Sequence, residues 1–394
     1  MKIKNREELI AKQEEYRASL NSQRKQILIC AGTGCVAGGS LEIYAKMKDI
    51  IEGKGLKCAL VLEKDPHGDS IGLKKSGCHG FCEMGPLLRI EPMGWLYIKV
   101  SLDDCEEIIE KSIIGDIDRL VYKDQEGNPY VKQEDIPFYK QQTRIALEYC
   151  GHINAESIAE YLALGGYSAV AKALFDMTPQ GIVDEITESC LRGRGGGGFP
   201  AGRKWQQVLD QKEEEKYIVC NGDEGDPGAF MDRSMMEGEP HRVIEGMLIA
   251  AIATGARHGY IYVRAEYPLA VERLQTAIDK AMDKGLLGKN ILGSGFDFDL
   301  HISQGAGAFV CGEGSALTTS IEGNRGMPRV KPPRTVEHGL FDKPTVLNNV
   351  ETFCNVPPII LNGAKWYQGF GPENNHGTKA FALTGNVNNT GLFE

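Results

Sequence analysis

The sequence predicts an α/β protein of at least two domains, and three observations predict it. Residues 1–119 carry short apolar runs and helical periodicities in the order of a small mixed domain. Residues 151–376 alternate strand and helix patterns, which favours a partly to largely parallel sheet. Residues 120–150 are weakly periodic, rich in Asp, Gln and Lys and contain several tyrosines, as a linker that wraps a neighbouring domain would. A length of 394 residues accommodates two or three domains, and 42% hydrophobic with 25% charged residues is a globular profile. The net charge of -10 argues against general nucleic-acid binding, so basic clusters are read as local sites. There is no apolar run of ~18 residues and the N-terminus is charged, so a cytoplasmic protein without membrane span or signal peptide is expected. Eleven cysteines, an odd number without regular pairing, point to a reducing compartment and to metal or cluster ligation.

In the first domain, Asn5 to Leu20 reads as an exposed charged helix and Gln26 to Cys30 as a buried strand that a cysteine ends. Leu41, Tyr44, Met47 and Ile50 recur at helical spacing, which predicts a helix over Gly39 to Ile51. Leu56 to Leu62, Leu87 to Ile90 and Trp95 to Val100 are strand-like. Leu102 to Ile113 closes the domain as a helix capped by Ser101, with Asp103 and Asp104 in its first turn. This order of elements is that of a small thioredoxin-like α/β domain.

Cys30, Cys35, Cys78 and Cys82 form a C-x4-C and a C-x3-C pair in glycine-rich loops. An iron–sulfur cluster needs four thiolates, and loops let them converge while backbone N–H groups bond the sulfides. Zinc is the main rival, although its pairs favour knuckle spacings. A redox disulfide prefers C-x-x-C, and plain buried cysteines are the third alternative. Here the chain resembles the thioredoxin-like [2Fe-2S] ferredoxin domain of flavin-dependent NAD(P)H oxidoreductases, with all four ligand positions present.

From His152 onward helical patterns return, at Ala155 to Leu164, Tyr167 to Phe175 and Thr178 to Cys190. The last leads into Leu191 to Trp205, reading LRGRGGGGFPAGRKW, where glycines permit close backbone approach and basic side chains favour phosphate. Gly193, Gly195 and Gly198 also satisfy G-x-G-x-x-G, a weak signal alone. A Rossmann turn follows a strand, and this one follows a helix, so that reading fails. A flexible linker is the rival, but linkers rarely interleave Arg, Phe, Pro, Lys and Trp with glycine.

Beyond the loop, the strand Tyr217 to Cys220 runs into Asn221-Gly-Asp223-Glu224-Gly-Asp226-Pro, a mixed donor and acceptor edge suited to a ribityl chain or a heterocycle. An ordinary acidic turn is the alternative. Helices are expected over His241 to Ala256 and Pro268 to Lys284, and strands over Gly259 to Tyr267 and Asp297 to Gln304. A second glycine-rich passage, Gly305 to Ser315, opens a helix over Ala316 to Ile321 that Ser315 would cap. Lys331-Pro-Pro-Arg334 and Lys343-Pro-Thr-Val-Leu-Asn348-Asn349-Val-Glu351 then precede a helical run to Leu361. Cys311 and Cys354 lack partners at ligand spacing and read as buried apolar residues.

With RGRGGGGFP, CNGDEGDPGAF, GAFVCGEGSAL, EGxRGxPR-x-KPP and KPTVLNNVET in this order, the second half resembles the flavin-binding NAD(P)H dehydrogenase subunit of complex I. Fused to a ferredoxin domain, the chain is most similar to the corresponding subunit of multimeric, electron-bifurcating [FeFe]-hydrogenases and related formate dehydrogenases. The resemblance implies FMN held by Gly193, Arg194, Gly195, Gly196, Lys204, Asn221, Asp223, Glu224, Phe309, Gly312, Glu313, Gly314, Asn348 and Asn349. It also implies Phe199, Lys331 and Arg334 at the nicotinamide nucleotide, and Glu224 and Lys204 as the residues closest to catalysis. Phe309 stands where the family often has Tyr. Implied partners are a small thioredoxin-like [2Fe-2S] subunit, a catalytic hydrogenase or formate dehydrogenase subunit, and ferredoxin.

The chain departs from the family's pattern at Gly314, where a second carboxylate is usual, and at Arg334, where an aromatic is usual. Losing an anion and gaining a guanidinium both favour a 2′-phosphate, so NADP(H) is expected over NAD(H). Family members continue through a ubiquitin-like domain to a [4Fe-4S] cluster. A strand starting within Ala380 to Val387 reads as the start of that domain (377–394), with the cluster expected in a missing C-terminal part.

Overall fold

A computed structural model describes residues 2–23, 25–60, 62, 70–111 and 115–394. They fall into two units: Lys12–Leu164 with Glu237–Glu239 and Phe381–Glu394, and Met1–Ala11 with Gly165–Met236 and Pro240–Ala380.

The first unit is built on five strands, β1 (Lys25–Cys30), β2 (Cys58–Ala59), β3 (Ile71–Ser76), β4 (Leu88–Glu91) and β5 (Trp95–Tyr97), in the order β2-β3-β1-β4-β5. β3 runs parallel to β1 and β2, whereas β4 and β5 are antiparallel. Helices Ser40–Gly53 and Cys105–Lys111 bury Ile43, Met47, Ile51, Ile108 and Ile109 against Ile27, Leu73 and Ile90. Of the expected stripe Met47 is buried, Tyr44 and Ile50 flank the core and Leu41 is exposed, so the core face is rotated from the predicted one. Ser101 and Asp104 form a reciprocal capping box at the start of the closing helix. The expected end of that helix at Ile113, and Val61 in the expected strand Leu56 to Leu62, lie outside the described residues.

Strand β3 has no counterpart in the sequence reading, because Lys74-Lys75-Ser76 looks like polar loop. In the fold, Lys74 is buried, its ammonium 2.9 Å from the equally buried Glu160 and 2.8 Å from Gln26 Oε1. A central strand carries a charge only when it is paired in this way. Residues 120–150, linker-like in sequence, pack as part of this unit. They contribute the hairpin β6 (Tyr122–Lys123) and β7 (Pro129–Tyr130), and Phe138 stacks on Phe81 at 4.4 Å. Their contacts are aromatic and irregular, so periodicity does not reveal them. The C-terminal strands β12 (Phe381–Leu383) and β13 (Gly391–Phe393) pair antiparallel, and Phe393 lies 4.7 Å from Phe138.

The second unit holds β8 (Tyr217–Gly222), β9 (His258–Arg264), β10 (Asp299–Gly305) and β11 (Thr345–Asn349), all parallel, in the order β10-β9-β8-β11. The strand–helix alternation thus gives the parallel sheet it predicts. Helix Pro240–Thr254 is buried along its whole length, and a Cβ at Gly246 would come within 2.1 Å of Phe353 O, so only glycine permits this helix contact. Strand β11 looks in the sequence like polar site residues only. Its register sets Asn349 beside Asn221 and Asn348 beside Cys220, so both polar motifs end at the carboxyl edge of the sheet. That edge is where open parallel sheets place ligands.

Candidate functional site

The glycine stretch joins helix Pro179–Glu188 to helix Ala201–Leu209 and is pinned at its neck. Gly193 N–H donates to Phe199 O at 2.8 Å, Ala201 N–H to Leu191 O at 2.9 Å, and Arg192 Nε to Gly198 O at 2.8 Å. A linker would have no such closure. Gly196 and Gly198 take positive φ of 100° and 62°, and a Cβ at Gly195 would sit 3.0 Å from Asn349 Cβ, so the glycines are steric requirements. Arg194 is buried beside the loop, with Nη2 donating to Tyr367 Oη at 3.0 Å and to His376 O at 2.9 Å.

A cavity of about 590 Å³ opens where the loop faces the ends of β8 and β11. Arg194 and Gly195 line one side; Asn221, Asp223 and Glu224 line the strand end; Phe309, Gly312 and Glu313 come from the second glycine passage, and Asn349 from β11. Asn221 Nδ2 donates to Gly312 O at 2.9 Å, which ties the two motifs together. Arg264 binds Asp223 Oδ1 at 2.9 Å. Burial pushes the Asp223 carboxyl above its ordinary range, with Arg264 opposing.

Several polar atoms here are buried without a hydrogen-bond partner: Arg194 Nε, Asp223 Oδ2, Asp232 Oδ1 and Asn348 Oδ1. Buried polar groups ordinarily have partners, so this donor and acceptor set is complementary to a polar ligand.

Glu224 does two things at once. It lines the cavity, and its carboxylate accepts the N–H groups of Met231, Asp232 and Arg233 at 2.8, 3.2 and 3.0 Å, closing the open end of helix Met231–Gly238. Burial pushes its carboxyl up, and those amides pull it back. Asp232 is pushed well above the carboxylate range by burial and by the charges of Glu224 and Glu351; its Oδ2 accepts from Asn349 Nδ2 at 2.6 Å. Asp232, Gly225, Asp226, Met231 and Val310 also line the cavity, and the sequence does not single them out as site residues. Asp226 belongs to the acidic turn after β8; Asp232 lies beyond it, with no local signal.

A second hollow of about 340 Å³ gathers Phe199, Lys204, Lys331 and Arg334. Lys204 donates to Leu347 O at 2.6 Å, and burial pushes its ammonium down to about 8. Lys331 pairs with Glu313 at 2.5 Å and so links the hollow to the larger cavity's wall. Despite the penalty of burial, Lys331, Ser315 and the Ala316 amide hold Glu313 at about 2. Glu313, not the expected Ser315, is the N-cap of helix Gly314–Ile321, accepting from Ser315 and Ala316 N–H at 3.0 Å each. Gly193, Gly196, Gly314 and Asn348 adjoin these walls without lining the larger cavity.

In the other unit, Cys30, Cys35 and Cys78 are buried and Cys82 half-buried. Cys30 ends β1, Cys35 lies in the short helix Thr33–Ala37 and Cys82 opens the 3-10 turn Cys82–Met84, so regular turns, and not loops alone, present them. The neighbouring Cys35 and Cys78, with burial, push the Cys30 thiol well up, Cys78 Sγ lies 3.5 Å from Cys82 Sγ, and Gly80 N–H donates to Cys78 Sγ at 3.3 Å. A Cβ at Gly85 would be 2.8 Å from Cys35 Sγ. Among the described residues no three His, Cys, Asp or Glu are placed around one metal ion. Cysteine sulfurs with a backbone donor and a glycine wall are the donor set of an iron–sulfur cluster.

Among the described residues no helix is long and apolar enough to cross a membrane. The Nuo51 FMN-binding domain family matches residues 186–358. The NADP-reducing hydrogenase subunit HndC of Solidesulfovibrio fructosivorans is 56% identical over 255 residues, 65% of this chain and 52% of that protein. An NADH-quinone oxidoreductase subunit of Aquifex aeolicus is 51% identical over 238 residues, 60% of this chain and 55% of its own length. The chain therefore spans about half the length of the curated relatives it matches. Among solved structures, an NAD+-reducing [NiFe]-hydrogenase in the H2-reduced state is 27% identical, with a TM-score of 0.56, covering 96% of this chain and 61% of that one. The span that matches the Nuo51 FMN-binding domain family, residues 186–358, contains the glycine stretch, β8 with its acidic turn, the second glycine passage and β11.

Proposed function

We propose that the chain is the flavin-bearing subunit of an NAD(P)H oxidoreductase. FMN belongs in the larger cavity, the nicotinamide nucleotide at Phe199, Lys331 and Arg334, and a [2Fe-2S] cluster on Cys30, Cys35, Cys78 and Cys82. The unpartnered donor and acceptor atoms of Arg194, Asp223 and Asp232, which line the cavity, carry this reading, because an apolar or purely anionic ligand would leave some of them unsatisfied. FMN, when bound, supplies the exchange of one hydride for two single electrons. The protein's own part is to bind and orient. The glycine loop brings backbone amides close, Arg194 and Lys204 offset anionic charge, and Asn221 and Asn349 offer amide groups. Glu224 holds the helix that shapes the cavity wall. Purified protein is expected to absorb as a flavoprotein, to release FMN on denaturation and to bleach with NAD(P)H. A colourless protein that takes up no FMN overturns the reading.

NADP(H) is the proposed coenzyme. Arg334 is exposed in the second hollow, and Gly314 brings no carboxylate to it. A Cβ at Gly314 would meet Leu347 at 3.4 Å, an ordinary contact, so Gly314→Glu is a fair test. Wild type is expected to show the higher kcat/KM with NADPH, and the double variant Gly314→Glu, Arg334→Phe to move the preference towards NADH by about tenfold, or ~1.4 kcal/mol. A wild-type preference for NADH sinks the assignment. The proposed setting is a cytoplasmic hydrogenase complex with a thioredoxin-like [2Fe-2S] subunit, a catalytic subunit and a further [4Fe-4S] cluster, in which electron bifurcation would operate. A formate dehydrogenase or complex I-type assembly is the alternative, and the subunits that co-purify decide between them.

A further inference from the structure

Tyr139 is buried to 9% exposure, and its hydroxyl has no hydrogen-bond partner. A buried phenol ordinarily finds one for its O–H. Its position leaves the ring little freedom. It meets Phe81 edge-on at 5.9 Å and Phe138 edge-on at 4.9 Å, and the Arg144 guanidinium lies 5.0 Å from its centroid. Arg144 is itself held, donating to His79 O at 3.1 Å and to Gln142 Oε1 at 3.0 Å.

The surroundings name the missing partner. Tyr139 shares one apolar cluster with Cys30, Cys35 and Phe81, the residue just before Cys82. Gly80 N–H donates to Cys78 Sγ at 3.3 Å. An aromatic side chain from a segment that resembles a linker thus packs an unpartnered O–H into the apolar cluster that holds Cys30 and Cys35, whose sulfurs in an iron–sulfur cluster are anionic acceptors.

We propose that Tyr139 is a positioning residue for the cysteine centre, donating an outer hydrogen bond to its sulfur atoms and thereby raising its reduction potential. The inference rests on the cluster reading above. Hydrogen bonds to sulfur stabilise the reduced, more negative cluster, so removing one lowers the potential. The competing partner for the hydroxyl is solvent in a hollow of about 430 Å³ that Tyr139 lines together with Arg89, Arg144 and His152.

The test uses the whole flavin-loaded protein and the variant Tyr139→Phe, which keeps the ring and deletes only the hydroxyl. In an EPR-monitored redox titration, the variant is expected to shift the cluster's one-electron equilibrium about tenfold towards the oxidised form, ~59 mV for one electron. Wild-type iron, sulfide and flavin contents should be retained. In D2O, the wild-type cluster should show an exchangeable deuteron by ENDOR, and the variant should lose it. An unchanged potential with the cluster intact overturns the proposal and assigns the hydroxyl to solvent. Should the variant fail to assemble, Tyr139→Trp and wild-type protein carrying ring-deuterated tyrosine are compared by ENDOR in H2O, and absence of a coupled tyrosine ring deuteron in the wild-type cluster overturns it. Wild-type protein without iron and sulfide removes both this inference and the cluster reading, an outcome distinct from a silent Tyr139→Phe.

Discussion

Glu224 stands in the motif that a sequence reader marks as catalytic, yet its carboxylate is taken up by the three amides that open helix Met231–Gly238. Its first duty is therefore that of a cap supplied from outside the helix. Glu224→Ala is expected to cost about 1 kcal/mol of stability, as loss of a cap does, and to weaken FMN binding with it; Glu224→Gln, which keeps an acceptor, should lose less of both. Chemical denaturation and flavin titration read the two effects separately. Lys204 makes a pH prediction. Burial holds its ammonium at about 8, below the ordinary lysine value, so the charged form is full below that pH and fades above it. Affinity for an anionic nucleotide should fall as pH rises through 8, and Lys204→Met should flatten that profile; a wild-type affinity that is constant from pH 7 to about 9 contradicts the assignment. The same burial favours the neutral lysine in the fold, so this group alone makes the fold more stable as pH rises from about 8 towards 10.5.

Among elements, a close contact in the second unit is the crossing of helix Pro240–Thr254 with helix Val350–Cys354, which directly follows β11. Gly246 permits it, since any side chain would meet Phe353 O at 2.1 Å. Because a backbone atom is the obstacle, Gly246→Ala must separate the two helices, and a loss of at least ~1–3 kcal/mol in stability is expected. Asn348 and Asn349 ride on β11, so FMN affinity should fall in the folded fraction of the same variant. Unchanged melting would mean that the helices are less tightly opposed. Strand β3 shows the complement: Lys74 reads as polar loop until Glu160 and Gln26 supply its partners.

At the scale of the whole molecule, binding and folding are linked. A ligand present at a hundredfold excess over its Kd adds about 2.7 kcal/mol to the stability of the unit that binds it. FMN should therefore raise the melting temperature in a concentration-dependent way, riboflavin less so because it lacks the phosphate, and equal effects of the two would remove the phosphate from the argument. The residues 120–150 belong to this scale too. Their composition reads as a wrapping linker, yet they supply Phe138 and Tyr139 to the cysteine unit.

The sequence by itself determined the α/β alternation, the parallel sheet, the cysteine quartet and the motifs that meet at the strand ends, because these are written in local spacing and turn chemistry. Tertiary structure alone decided which polar atoms remain unpartnered, that Glu224 closes a helix, that Glu313 and not Ser315 caps another, that Asp232 reaches the cavity and that Tyr139 packs in one apolar cluster with Cys30 and Cys35. Those outcomes depend on what each side chain meets across long separations in the chain, and partners that distant leave no periodic trace in the sequence.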